Sequence, residues 1–481
     1  MEEVAVEPVA LDRLAAVLPP DRQARLAANA ERARAGFGTR TVWHVNATAH
    51  GGGVAEMLQT LLAYGKGGGI ENRWLVLDAD PEFFTITKRL HNMLHGEPGD
   101  GGTLAGAERG HYEAVLAANL AELVRRVAPG DIVVLHDPQT AGLARGLRQL
   151  GALVVWRCHV GRDQPNGLTS VGWGFLRPYL AHAHTMVFSR RVYAPSWVDD
   201  TRMVVIPPSI DPFAAKNAPL EAHQIAAVLT RVGLVAAPSP REPVRFTRRD
   251  GTVGVVRPYA ETGGLLHHAE PPPLLTPLVV QVSRWDRLKD MTGVMTGFAR
   301  AVGGGDDGGA HLMLAGPEVA GVSDDPEGAL VLAECQDLWR SLPPPVKARV
   351  HLASIPMDDG AENALIVNAL QRHAEVVVQK SLVEGFGLTV TEAMWKGRAV
   401  VASKVGGIQD QITDGRDGLL VNDAHDLAEF GDVLKRALRD QELRRRLGSA
   451  AHARVLDEYL GDRHLGQYVD LFLGLVRDSG R

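Results

Sequence analysis

Cysteine is nearly missing from the chain. Two occur in 481 residues, Cys158 and Cys335, far apart and in no CxxC or Cys/His spacing. Disulfide-stapled small folds and structural zinc modules are thereby excluded, and both thiols are expected to be buried and free. A basic excess is missing too. Lys and Arg number 51 against 57 Asp and Glu, a formal charge of −6, so no surplus of cations exists to neutralise a row of phosphates and no nucleic-acid partner is expected. No run approaches the ~18 consecutive apolar residues of a membrane span, and the opening MEEVAVEP has an acidic head and no apolar stretch of leader length. A cytoplasmic protein without a membrane partner is expected.

What is present is an ordinary globular composition, 45 % apolar and 22 % charged, long enough for two large domains or three small ones at roughly 150 residues each. After an Arg/Ala-rich helical lead-in over 9–36, the apolar runs TVWHVN, RWLVLD, DIVVLHD, ALVVWRCH, TMVFS and MVVIPP alternate with helical patterns such as VAEMLQTLLAY and YEAVLAANLAELVRRV. Continuously apolar runs suit strands covered on both faces, and their alternation with amphipathic segments predicts a parallel βαβ sheet. Proline density rises over 208–277 and helical spacing fades; the alternation restarts with LVVQVS, HLMLAGP, VHLASIP, EVVVQKS, AVVASKV and DGLLV. Two αβ lobes follow from this pattern. We place the first at 1–215, a linker at 216–277, the second lobe at 278–460 and a terminal helix at 461–481 packing back on the first lobe. Within the linker, VRFTRRDGTVGVVR predicts a β-hairpin turning at Asp250-Gly251. It is expected to serve assembly or to cover a cleft, outside the chemistry.

Four places carry residues suited to chemistry. Gly51-Gly52-Gly53 follows a strand and opens a helix, which suits a backbone approaching phosphate but equally a simple connecting turn. In SRWDRLKD, Arg284 and Lys289 stand just beyond a strand of the second lobe, where αβ sheets bind ligands, and two cations there would offset the charge of a leaving diphosphate. A solvated basic turn explains the same residues, and Arg287 reads as merely exposed. EGFGLTVTEAM places Glu384 in a loop and Glu392 on the first turns of the helix that follows. Eight residues put them about 80° apart around a helix, so they cannot share one atom as a glycosidase pair would. Finally, VLHDPQ and WRCHV present Asp137 and His159 at strand ends of the first lobe, where a histidine can bind a sugar hydroxyl. His44 and His136 read as structural.

Taken together, the glycine loop, Arg284 with Lys289, and the Glu384/Glu392 pair resemble the retaining, nucleotide-sugar-dependent glycosyltransferases of the GT-B fold, the large family that includes sucrose synthase. HVNATAHGGGVAEML, WRCHV, IPPSIDPFAAKN, QVSRWDRLKD, QKSLVEGFGLTVTEAMWKG and VGGIQDQITDG resemble, more narrowly, the trehalose glycosyltransferring synthases and the related trehalose phosphorylases. The resemblance spans roughly residues 40–460. It implies an α/β protein of two Rossmann-like lobes with a cleft between them, closing to exclude water. It further implies a hexosyltransferase that takes a nucleotide-sugar donor, UDP- or ADP-glucose, and a small sugar acceptor, glucose in the trehalose-forming case. Neither a metal nor a cofactor is expected, and a homodimer is the assembly considered.

Carried over residue by residue, the resemblance gives Gly51, Gly52 and Gly53 to the donor's distal phosphate and Arg284 and Lys289 to the diphosphate. It gives Glu384 to the hydroxyls of the transferred sugar, the backbone of Phe386, Gly387 and Leu388 to phosphate, Glu392 to the ribose and the backbone at Ile355 to the base. His159 would face the reacting sugar, with Asp137 and Gly161 on the acceptor side. The family reads CHID where this chain reads Cys158-His159-Val160-Gly161, so Gly161 stands in place of an acid. An acceptor lacking or replacing one hydroxyl, an amino- or deoxy-sugar, is therefore an alternative to glucose, as are the phosphorylase direction and a nucleotide-sugar-binding protein without turnover. A dehydrogenase would need a GxGxxG that is not matched, and a nucleotide-sugar epimerase would need no acceptor.

Overall fold

The predicted runs form strands flanked by helices in a computed structural model, which describes residues 1–479 apart from 50, 51, 239, 241, 249, 250, 269, 304–307 and 320–325. The chain divides into two compact units, Met1–Asp211 with Tyr459–Arg481, and Pro212–Glu458.

The first unit is built on β1 (Glu2–Glu3), β2 (Val42–Asn46), β3 (Asn72–Val76), β4 (Ile132–His136), β5 (Leu153–Arg157), β6 (Thr185–Phe188) and β7 (Met203–Val205), in the order β1-β3-β2-β4-β5-β6-β7. All are parallel except β1, which lies antiparallel on β3. Sequence reasoning gives no sign of β1, because two glutamates carry no apolar pattern and pair through backbone alone. Both faces of the central strands are covered, as continuous apolar runs require. Val133, Leu135, Val154 and Trp156 pack with Phe175 and Leu180, whereas Val134 and Val155 pack with Phe37, Tyr468 and Phe472. The second of these faces is closed by helix Gly461–Ser479, which lies on helix Pro20–Phe37. Arg22 Nε donates to Asp462 Oδ2 at 2.8 Å across that contact, with both side chains buried.

The second unit holds β10 (Leu278–Val282), β11 (His311–Pro317), β12 (Val350–Ile355), β13 (Val376–Gln379), β14 (Ala399–Ser403) and β15 (Leu419–Val421), all parallel in the order β12-β11-β10-β13-β14-β15. The hairpin is present as β8 (Arg245–Thr247) and β9 (Val253–Val255), antiparallel. Asp250 lies outside the described residues, and Gly251 has a φ of +82°, the region a tight turn asks for.

Residues 216–277, read from the sequence as a linker, are counted into this unit. Helix Ala222–Arg231, with Val228 and Leu229 buried, packs on helix Gly360–His373, an amphipathic stretch hidden by its proline-rich flanks. Leu266 bridges Ala353 antiparallel beside β12. Cys158 and Cys335 are free and buried. Among the described residues no helix is long and apolar enough to cross a membrane.

Candidate active site

In the second unit β10 and β13 are neighbours, so the loops leaving their carboxyl ends start side by side. Leu382 N donates to Leu288 O at 2.8 Å and ties the two loops together. Lys289 Nζ therefore meets Glu384 Oε2 at 2.6 Å, with Ser381 Oγ donating to the same oxygen at 3.1 Å. The loop after β10 is stiffened from below. Trp285 is buried and donates to Pro317 O at 2.9 Å, and Asp290, at a left-handed φ of 49°, caps helix Met291–Val302 and pairs with buried Lys380. Arg284 is half exposed, with its guanidinium 3.2 Å from Asp286 Oδ2. Arg287 pairs with Glu327 and Glu334 at the surface.

Gly387 is needed twice over. Its φ of +85° is left-handed, and a Cβ there would lie 3.0 Å from Ile408 and 3.2 Å from the Glu384 side chain. It precedes helix Leu388–Trp395 with no side-chain cap; Val390 N–H donates to the Gly387 carbonyl at 3.0 Å, and the N–H groups ahead of it on Leu388 and Thr389 suit an anion. The Phe386 carbonyl in turn accepts from Gln411 Nε2 at 2.5 Å. Glu392 is buried on this helix, 3.9 Å from Lys216 Nζ. Lys396, pushed down to about 7 by burial, donates to Gln371 Oε1 at 2.7 Å and Asn217 Oδ1 at 3.2 Å. Sequence reasoning quoted the stretch containing Lys216 and Asn217 without giving either a role; their signal is a lysine and an amide just after DPFAA.

Ile355 ends β12, buried, its carbonyl accepting from Glu318 N at 2.9 Å. Beside it is a cavity of about 370 Å³ whose lining includes Arg257, Tyr259, His267, Glu318, Ser354 and Asp358. The hairpin is anchored at its edge: Arg248 pairs with Asp359, and Arg257 with Asp358 and Glu362. These contacts tie it to the carboxylates around the start of helix Gly360–His373.

In the first unit Asp137 takes a left-handed φ of 61° and accepts the His159 N–H at 2.7 Å. Burial pushes its carboxyl up to about 7, against the opposing pull of that hydrogen bond. Gly161 is a place of close approach. A Cβ would fall 2.1 Å from the Tyr193 ring, and its carbonyl lies 3.1 Å from His95 Nδ1, so packing against Tyr193 is itself a reason for glycine here. Gly51 lies outside the described residues, and Gly52 and Gly53 open helix Gly52–Gly67. His44 and His136, read as structural, are joined to His159 in one hydrogen-bonded row.

Two Rossmann-like units, with a cation–carboxylate pair and a left-handed glycine at the strand ends of the second, define a glycosyltransferase of the GT-B fold. Residues 44–195 match the family model "Trehalose synthase, N-terminal domain", and 362–454 match "Glycosyl transferases group 1". Trehalose synthase of Pyrococcus horikoshii is 31 % identical over 436 residues, 91 % of this chain and 90 % of that one; the Rubrobacter xylanophilus trehalose synthase is 32 % identical over 448 residues, 90 % of each. Among solved structures, the α,α-trehalose 6-phosphate synthase of Burkholderia multivorans superposes with a TM-score of 0.63 at 16 % identity, over 92 % of this chain and 99 % of that one. The chain belongs to the trehalose synthase family.

Proposed function

We propose that the protein transfers the glucosyl group of UDP- or ADP-glucose to free glucose with retention at the anomeric carbon, forming trehalose. The Lys289–Glu384 pair carries the reading, because a cation and a carboxylate at the ends of adjacent strands suit a ligand bearing both phosphate and hydroxyls. Lys289 and Arg284 take the diphosphate, and Glu384 takes hydroxyls of the transferred sugar. Backbone N–H groups from Gly387 onward meet phosphate, Glu392 with Lys216 beside it holds the ribose, and the backbone at Ile355 receives the base. Gly52 and Gly53 approach the distal phosphate, while Asp137 and His159 serve the acceptor side. Family membership, with two relatives that are both trehalose synthases, supports trehalose as the product.

In the reaction the bond from C1 to the β-phosphate oxygen breaks as the acceptor oxygen bonds C1 on the same face. The acceptor's hydroxyl proton passes to the departing phosphate oxygen, so no side-chain nucleophile is needed. Catalysis then consists of stabilising the leaving diphosphate with the two cations and orienting the acceptor. A matrix of nucleotide-glucose donors against glucose, amino- and deoxy-sugars and inorganic phosphate, read by released nucleotide, tests the reading. Fastest release with glucose is expected; release that needs no acceptor, or only phosphate as acceptor, would overturn it.

A further inference from the structure

Three imidazoles lie in one row in the first unit. His44 belongs to β2, His136 ends β4 and His159 follows β5, and these strands are neighbours in the sheet. His44 Nδ1 is 3.0 Å from His136 Nε2, and His136 Nδ1 is 3.0 Å from His159 Nε2, with the ring planes inclined by 24° and 14°. Register sets His44 opposite Val134 and His136 opposite Arg157. His44, His136 and Arg157 therefore share the face covered by helix Gly461–Ser479.

A neutral imidazole has one N–H and one bare nitrogen. His136 engages both of its nitrogens, so it must accept from one neighbour and donate to the other, and the row runs in one of two directions. Running outward from His44, it makes His159 Nε2 the acceptor and leaves the proton on His159 Nδ1. Running inward, it leaves that Nδ1 bare. One ring cannot change tautomer without the other two. The inner end favours the first, because His44 Nε2 has no hydrogen-bond partner among the described residues and His44 lines a small pocket that is mostly apolar, with Leu61, Leu62 and Phe472 beside Asn72 and Tyr468. The outward order turns only a lone pair toward that pocket, whereas the inward order turns an N–H toward it, the costlier group to leave unmet.

Charge is also kept off the row. Arg157 is fully buried, donating to the Phe188 carbonyl at 3.4 Å and the Ser189 hydroxyl at 3.2 Å, with its Nε unpartnered among the described residues. Burial holds His136 and His159 well below the ordinary histidine range; His44 and His159 and then Arg157 add to this at His136, and Arg157 and His464 at His159. Burial alone brings His44 to about 3. His464, facing in from helix Gly461–Ser479 with its Nδ1 2.9 Å from Ser209 Oγ, is lowered likewise, by burial and then by Arg463, Arg157 and His44.

We propose that His136 and His44 are positioning residues that commit His159 to the tautomer with its proton on Nδ1, so that a neutral imidazole donates a hydrogen bond to an oxygen of the bound sugar. Only the identity of that ligand rests on the sugar-transfer reading above.

The test is ¹H–¹⁵N correlation on ¹⁵N-histidine-labelled protein, which separates the two tautomers without turnover, joined to steady-state kinetics. The wild type is expected to show His159 as the Nδ1–H form. His136→Phe removes both links; it is expected to shift His159 toward the Nε2–H form and to lower kcat about 10- to 100-fold with donor KM within about two-fold. His136→Gln, whose amide can both accept and donate, is expected to restore most of that kcat. Should His136→Phe not fold, His136→Leu removes the same two links and gives the same tautomer readout. An Nε2–H form in the wild type, or an unchanged His159 tautomer in His136→Phe or His136→Leu, overturns the proposal. Absence of turnover with every donor would instead overturn the transfer reading and leave the tautomer result standing.

Discussion

Lys289 and Glu384 neutralise one another across 2.6 Å. On the proposed reading, a bound diphosphate exchanges that contact for phosphate oxygens and frees the carboxylate for hydroxyls, which makes Lys289 the residue most exposed to test. Lys289→Ala is expected to lower kcat at least about 100-fold, the usual loss for one transition-state donor; nucleotide release measures it, and a near wild-type kcat contradicts the assignment. Asp137 makes a prediction in pH. Its folded carboxyl is raised to about 7 by burial, so between about 4 and 7 the folded state binds more protons than the unfolded chain and stability falls as pH rises. Asp137→Asn keeps an acceptor for the His159 N–H and is expected to be more stable than wild type at pH 8, with the advantage gone near pH 4. Denaturation at the two pH values checks this, and an equal difference at both contradicts it. Lys289 and Glu384 were legible in the sequence because each follows a strand-like run. The roles of His136 and His44 were not, since a histidine inside an apolar strand reads as a satisfied core residue until its neighbouring strands are known.

Elements explain why these side chains meet. The loops after β10 and β13 touch because a parallel sheet places the carboxyl ends of adjacent strands together, and apolar runs were enough to locate both strands. The irregular stretch before β10 was less legible. Its hairpin signal is real, but its partners are the acidic groups Asp358, Asp359 and Glu362 around the start of helix Gly360–His373, more than a hundred residues away. Arg257 in particular holds a wall of the cavity beside Ile355. Arg257→Ala is expected to raise the Kd for UDP and ADP several-fold by calorimetry while kcat at saturating donor stays within about two-fold. A collapsed kcat with unchanged Kd would contradict a role for that wall in holding the base.

At the scale of the whole molecule, the chain begins and ends in one unit. Helical spacing from residue 461 onward predicted a helix, and its return to the first unit rests on contacts that spacing alone does not reveal: the Phe37–Phe472 edge contact at 6.0 Å and the buried Arg22–Asp462 pair. Removing one partner of a buried pair leaves an uncompensated charge, so Asp462→Asn is expected to cost about 3–5 kcal/mol in urea unfolding, and a loss under about 1 kcal/mol contradicts the contact. The restart of the βα alternation after the proline-rich stretch made two lobes legible, whereas helix Ala222–Arg231 and β1 escaped because one is flanked by prolines and the other has no apolar residue. The most direct measurement is NMR of the product formed from UDP- or ADP-glucose and glucose ¹³C-labelled at C1. A single α,α-1,1 linkage carrying the label, with one nucleoside diphosphate released per disaccharide, is the predicted result; a β anomeric signal, another linkage, or release without disaccharide would contradict it.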